Sequence, residues 1–210
     1  MKKIVILGGG DLAQKTVEII RRDKLFKIIG FYNNVRTFKD IKFLGTFSKF
    51  YSQKRKPKKT SFVLALGGRP ELLTLRKKII NILVKKKINT PKVLSKLATI
   101  HKKAKIEDGA IIFDNVTIDY KSSIGSFAIV NIGTIVCHDS FIGKNTILSP
   151  KTLVLGRCIL RGDIFIGSGS IINPKIVIEK NVIIGSMSNV LKNIKKKGTY
   201  LGNPSRKLID

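Results

Sequence analysis

The stretch Ile124-Gly125-Ser126-Phe127-Ala128-Ile129-Val130-Asn131-Ile132-Gly133-Thr134-Ile135-Val136-Cys137-His138-Asp139-Ser140-Phe141-Ile142 decides the fold. Ile124, Val130, Val136 and Ile142 recur every six residues. Stepping by six from Ile106 to Val190 meets Ile, Leu or Val at all fifteen positions. Four residues after each comes a slot that is mostly small or β-branched, as at Ala110, Ala128, Thr134, Ser140, Cys158 and Ser170, and never large and polar. Repeats of this kind are read before any local propensity. The period predicts a parallel β-helix of hexapeptides, three to a triangular coil of 18 residues, with the aliphatic residue inside each face. Five coils stacked at the strand spacing give a prism ~24 Å tall. Leu94 and Ile100 extend the register backward and predict a partial first coil. Gly125, Gly143, Gly167 and Gly185 each follow an aliphatic residue, at turns expected to need unusual dihedrals.

The residue before each aliphatic position points outward. Ile129, Ile147, Phe165 and Ile183 form one column, and Ile135, Leu153 and Ile171 another. Such columns call for burial, and packing against neighbouring prisms in a homotrimer is the expected remedy.

Upstream the pattern differs. Ile4-Val5-Ile6-Leu7 is predicted as a buried strand, and Asp11 to Asp23 as a helix with Ala13, Val17 and Ile20 on one face. Phe26 to Tyr32 gives a second strand, a loop-rich stretch follows, and Ser61 to Leu66 gives a third. Pro70 opens a second helix at N1, with Leu72, Leu75, Ile79 and Leu83 on its apolar face. Residues 1–90 thus form a small, mostly parallel α/β unit and residues 91–210 the β-helix.

The chain has 210 residues, 41 Lys+Arg against 13 Asp+Glu, and a formal net charge of +28. Runs such as Lys54-Arg55-Lys56-Pro57-Lys58-Lys59, Lys85-Lys86-Lys87 and Lys195-Lys196-Lys197 have little aromatic interleaving. They read as a solvated, lysine-rich surface. Composition alone does not choose between nucleic acid and small polyanions such as nucleotides as partners; the sequence motifs make nucleic acid the less expected one. Two cysteines exclude a disulfide scaffold and fit a reducing, cytoplasmic compartment. No apolar run approaches the ~18 residues that span a bilayer, so no membrane partner is expected. The apolar start is short and ends in Gly8-Gly9-Gly10, which reads as a strand and turn, not an export signal.

Together these features resemble the sugar-nucleotide and sialic acid O- or N-acetyltransferases, in which a Rossmann-like nucleotide-binding unit precedes a left-handed hexapeptide β-helix. Three blocks carry the resemblance. Gly8-Gly9-Gly10-Asp11-Leu12-Ala13 fits G-x-G-x-x-G/A between a strand and a helix, where backbone amides approach a phosphate. Asn33 and Asn34 stand where a dinucleotide ribose would need an acidic residue, which argues against a nicotinamide cofactor. The resemblance puts this pair near the base of a sugar nucleotide. Asn131 followed seven residues later by His138-Asp139 is similar to the family's active-site coil. The resemblance implies that His138 is the general base, Asp139 orients it and Asn131 positions the acceptor. Many relatives carry a second histidine nine residues further on, near the acyl donor; Ile147 occupies that place here. Gly202-Asn203-Pro204-Ser205-Arg206 is similar to the family's Gly-x-Pro-Ala-Lys ending beside the CoA groove, with Arg206 a candidate phosphate contact. Gly156, one coil beyond His138, leaves room for the donor's thioester arm.

The implied activity is acetyl-CoA-dependent N-acetylation of an amino-sugar nucleotide of the UDP-4-amino-4,6-dideoxy type, by direct transfer at a prism–prism interface. O-acetylation of a sialic-acid-like sugar is the alternative acceptor chemistry, and a non-catalytic trimeric β-helix that binds nucleotide is the alternative class. A Cys137 acyl-enzyme is weighed against Cys137 as a spacer, and Cys158 sits in an inward structural slot. A zinc site needs three imidazoles. The sequence supplies only His101 and His138, so no metal is expected.

Overall fold

The computed structural model describes residues 1–52 and 60–208; the basic run at 54–59 lies outside the described residues. The chain opens with β1 (Lys3–Leu7) and α1 (Asp11–Arg22), followed by β2 (Lys27–Tyr32). The stretch expected to be loop instead holds β3 (Phe43–Gly45) and α2 (Phe47–Ser52). Both are too short to show a period; Phe47 and Phe50 anchor α2 in the core. Next come β4 (Thr60–Leu64) and α3 (Leu72–Lys85). Pro70 is not at N1: it lies in the turn before the helix, whose N-cap is Glu71, and its carbonyl accepts from the Leu73 N–H. The four strands form one parallel sheet in the order β3-β2-β1-β4. The chain moves from β1 out to β3 and returns on the other side of β1. That reversal opens a crevice at the carboxyl ends of β1 and β4.

From Val93 onward the chain is a parallel β-solenoid. Its two-residue strands stack into three faces whose sheets have eight, six and five strands. From Val93 to Val190 neighbouring strands pair at a constant offset of 18, as in Ile135↔Leu153 and Phe141↔Ile159. The six-residue positions from Val130 to Val190 are fully buried and form one continuous core. Leu94 and Ile100 sit in strands in register with Ile112 and Ile118, so the partial first coil is present.

The slot four residues on is buried throughout, and often polar. Several of its hydroxyls donate to the next coil. Ser122 Oγ donates to the Cys137 carbonyl at 2.8 Å, Ser140 Oγ to Leu155 at 2.9 Å and Ser170 Oγ to Gly185 at 2.8 Å, each 15 residues on. Buried hydroxyls survive where such acceptors exist.

Each corner contains one residue at positive φ, three places after the aliphatic residue, in fourteen successive hexads from Gly109 to Met187. Only three of these are glycines. Most of the others, Asp139, Arg157 and Lys175 among them, donate their N–H to a carbonyl of the preceding coil. Asp139 N–H reaches Tyr120 at 2.9 Å and Arg157 N–H reaches His138 at 3.0 Å. Those bonds offset the ~1–2 kcal/mol an L-residue loses there. The glycines expected to supply unusual dihedrals serve another purpose. Gly125, Gly143 and Gly167 have ordinary φ, and a Cβ on any of them would strike the backbone of the next coil, at 2.4 Å for Gly167.

One outward column is not left for a neighbouring prism. Ile129, Ile147 and Phe165 are buried together with Leu12, Ile19 and Ala65 in a core shared with the N-terminal unit of the same chain. The expectation that this column packs against another copy is therefore corrected: α1 and the sheet cover it. Two polar clasps flank this docked face. On one side Arg22 bonds Asp114 at 2.7 Å and Asp23 at 2.8 Å, and the Lys96 N–H donates to Asp23. On the other, Lys77 pairs with Asp163 at 2.8 Å. The second face stays open: Ile135 is 41% and Ile171 37% exposed.

Candidate active site

His138 and Asp139 occupy the corner that follows the strand Ile135–Val136, between the second and third faces. His138 Nδ1 lies 3.0 Å from Asp139 Oδ2, and the two side chains are 48% and 39% exposed. The left-handed turn at Asp139, φ 57°, brings its carboxylate back beside the ring. This hydrogen bond to His138 holds the Asp139 carboxyl below the usual range, with Lys121 and Arg157 adding to the effect. An ionised carboxylate accepts the Nδ1 proton, so Nε2 carries the lone pair. Nε2 lies over Gly156. A Cβ there would come within 2.6 Å of Nε2 and 2.8 Å of Cε1. The space expected to admit the donor arm at Gly156 is thus occupied in the first place by the imidazole itself.

The cysteines differ from this dyad. Burial pushes the Cys137 thiol up, as it does that of Cys158, whose Sγ lies 3.0 Å from the Asn173 carbonyl. A raised pKa disfavours the thiolate that a nucleophile needs. His101 meets Tyr120 edge-on, and its Nδ1 accepts from the Lys103 N–H at 3.1 Å. Among the described residues no three His, Cys, Asp or Glu side chains are grouped as metal ligands.

The glycine turn lies in the crevice beside β1. Gly8, φ 133°, packs so tightly on the Ala65 carbonyl that a Cβ would sit 2.2 Å away, and Gly9 has Thr37 and Asn33 side chains in the equivalent place. Gly10 has nothing within 4 Å of its own Cβ position, and it caps α1. It opens on a cavity of about 460 Å³ walled by Asp11, Lys15, Gly67, Arg69 and Asn131. Of the three glycines it is the one exposed to a ligand there. The wall from Ala65 to Arg69 was missed in the sequence. Its signal was present: a Gly-Gly pair at the carboxyl end of a strand that lies next to β1.

Asn131 is buried at the corner between the docked and second faces. Its Oδ1 accepts from the Ile132 N–H at 2.9 Å, which leaves its amide NH₂ toward the cavity wall. A second groove of about 530 Å³ shares Asn131 and Lys15 and runs out to Ile132. Asn33 and Asn34 do not line the cavity. Asn33 Nδ2 donates to the Val35 carbonyl at 2.9 Å, and Asn34 Oδ1 accepts from the Phe47 N–H. Ile147 is not beside the dyad either. It is fully buried on the docked face, near Gly67, and the expectation of donor contacts at that residue is corrected.

The tail Gly202-Asn203-Pro204-Ser205-Arg206 closes the top of the solenoid on the Asn131 side. Asn189 Nδ2 donates to Asn203 Oδ1 at 3.1 Å, and Ser205 N–H donates to the Asn189 carbonyl. Within one chain the structure therefore gathers the predicted residues into two groups. Gly10 and Asn131 share a cavity at one corner; His138, Asp139 and Gly156 share the next corner, across the open second face.

No protein-family model matches the chain, and a comparison with curated proteins gives no match. Solved structures do resemble it. The acetyltransferase domain of PglB from Neisseria gonorrhoeae superposes with a TM-score of 0.90 at 19% identity, covering 99% of this chain and 100% of that one. A perosamine N-acetyltransferase from Caulobacter crescentus, solved with CoA and GDP-perosamine, gives 0.90 at 21%, over 99% and 97% of the two chains. WeeI from Acinetobacter baumannii gives 0.84 at 21%, over 98% and 99%. At these identities the likeness is one of fold, and it spans both the α/β unit and the solenoid from end to end.

Proposed function

We propose that the chain is an acetyl-CoA-dependent N-acetyltransferase acting on an amino-sugar nucleotide, built as a Rossmann-like unit over residues 1–90 and a left-handed β-helix over residues 91–210. The observation that carries this reading is the exposed His138–Asp139 pair, with Nδ1 tied to the carboxylate and Nε2 free above Gly156. The structural neighbour with CoA and GDP-perosamine supports an amine acceptor over the hydroxyl of a sialic-acid-like sugar.

In the proposed reaction the sugar amine attacks the thioester carbon. His138 Nε2 takes the proton the amine must lose, as the C–N bond forms and the C–S bond breaks. The proton is then available to the departing CoA thiolate. A positioned imidazole contributes about 10²–10⁴ in rate. Asp139, kept ionised, holds the ring in the tautomer this needs. The sugar nucleotide's diphosphate is assigned to Gly10 and the amides opening α1, with Gly8 and Gly9 shaping the turn. Asn33 and Asn34 are assigned to the base only through movement of their loop.

The separation of the two groups supports assembly as a homotrimer. The cavity with Asn131 and the imidazole lie on opposite edges of the second face, whose Ile135, Leu153 and Ile171 need cover. A second copy packed there would bring one chain's acceptor cavity, and its tail at Gly202–Arg206, to the partner's His138 corner. The charge pattern supports the donor's location. The His138 corner carries Lys102, Lys103, Lys121, Arg157, Lys175 and Lys192 against Asp119 and Asp139. The corner between the docked and second faces carries only Lys96 and Lys151 against Asp114. A cationic edge captures the phosphates of CoA. A cytoplasmic setting fits substrates of this kind.

Mass spectrometry after incubation with acetyl-CoA and a panel of amino-sugar nucleotides tests the reading. The expected product is heavier by one acetyl group, and His138→Ala should cut its formation by at least 10² while the oligomer persists. Undiminished turnover in that variant would refute the assignment.

A further inference from the structure

Among the described residues two charged side chains are buried, Asp23 and Arg76. Asp23 is paired with Arg22. Arg76, on α3 and 1% exposed, is not paired with any carboxylate among the described residues. Its guanidinium donates to three neutral acceptors: Asn145 Oδ1 at 2.8 Å, the Leu66 carbonyl and the Phe127 carbonyl. Burial pushes its pKa down to about 9, so it remains a cation at neutral pH. The nearest acid in the network, Asp163, reaches it only through Asn145, whose Nδ2 donates to Asp163 Oδ1 at 2.8 Å. Asp163 is already held by Lys77.

A buried cation without a counter-ion is costly, and one that persists is compensated by hydrogen bonds or by a charge that arrives later. Two of the three acceptors, Phe127 and Asn145, belong to left-handed corner residues of the solenoid. The third, Leu66, opens the Leu66–Arg69 wall of the 460 Å³ cavity. Gly67 in that wall is wedged between Leu12 and Ile129 side chains, so the wall has little freedom except through its carbonyl anchor.

We propose that Arg76 is a positioning residue for ligand phosphate: it pins the Leu66–Arg69 wall to the solenoid and places behind that wall a positive charge that pairs with no carboxylate among the described residues. This rests on the reading of that cavity as the nucleotide site. In a low-dielectric interior such a charge acts over a longer range than a surface lysine does. A ligand with two phosphates gains more from it than a ligand with one.

The test is calorimetric binding of UDP against UMP, and of GDP against GMP, to the full chain and to Arg76→Met and Arg76→Lys. Arg76→Met should weaken diphosphate binding at least tenfold and monophosphate binding less, so that the preference for the diphosphate shrinks. The KM for acetyl-CoA should not move. Arg76→Lys keeps the charge but cannot reach all three acceptors; it should weaken both ligands while retaining the preference. This second variant carries the test if Arg76→Met fails to fold. Equal losses for both ligands in Arg76→Met, or a lost preference in Arg76→Lys, would overturn the proposal. If the unmodified chain binds none of the four nucleotides, the reading of the cavity fails instead.

Discussion

At the scale of single residues, Gly156 is the sharpest handle on the dyad. Its missing Cβ leaves the place where the His138 ring rests, and only the ring would have to yield to a methyl group. Gly156→Ala should therefore leave the fold intact and tilt the imidazole out of line. A misplacement of about 1 Å is worth about 10² in rate. We expect kcat to fall by that order, with the thermal midpoint within a few degrees of the unmodified chain, in parallel kinetic and melting assays. Full activity would mean that the ring orientation is set elsewhere. That His138, Asp139 and Asn131 stand at corners was legible in the sequence because the hexad register fixes it; the roles proposed for them came from the resemblance. Arg76 was not legible. Its neighbours in sequence say helix, and its partners Phe127 and Asn145 are more than 50 residues away.

At the scale of the coil, hydroxyls make the same bond 15 residues ahead again and again, yet Thr146 Oγ1 has no partner while Thr134 Oγ1 donates to Ser149 at 3.1 Å. Removing an unsatisfied buried hydroxyl is neutral or favourable, and removing a bonded one costs about 1 kcal/mol. Thr146→Val should hold or raise the urea midpoint, and Thr134→Val should lower it. The opposite order would show that the two slots are not equivalent. The coil was legible almost to the residue, since one period dictates strand, corner and core together. The left-handed corner residues escaped notice because lysine, arginine and methionine carry no local signal for positive φ; the backbone bond to the preceding coil imposes it. β3 and α2 escaped for a related reason: aromatic packing against the sheet sets them, not periodicity. Likewise the buried column at Ile129 and Ile147 was legible as a surface needing cover, but nothing in the hexads says that the cover is the chain's own amino-terminal unit.

At the scale of the whole molecule, the two units behave as one body only while the docked face and its clasps hold. Each fully buried side chain on that face, Ile147 for instance, is worth roughly 1.5–3 kcal/mol. The clasp at Arg22 is also titratable. Its guanidinium holds Asp23 and Asp114 below the usual carboxylate range. With folded values depressed, the stabilisation is complete above the ordinary aspartate value of about 3.9 and is lost as pH falls through the lower folded values. The gap in melting temperature between the unmodified chain and Asp114→Asn should therefore hold from neutral pH down to about pH 4 and narrow below it. A gap that stays constant would assign Asp114 no role through its charge. The repeat has a further consequence. Because every coil adds one strand spacing, distance along a corner is counted in whole steps, and the solenoid works as a ruler. Lys192 stands 54 residues after His138, three marks away, or about 14 Å. An arm equivalent to four extended residues, such as the pantetheine of CoA, reaches about as far. Lys192→Glu should raise the KM for acetyl-CoA about tenfold and leave acetyl-pantetheine, which has no diphosphate, unaffected. A chain lengthened by one coil between the two marks would measure out a longer donor.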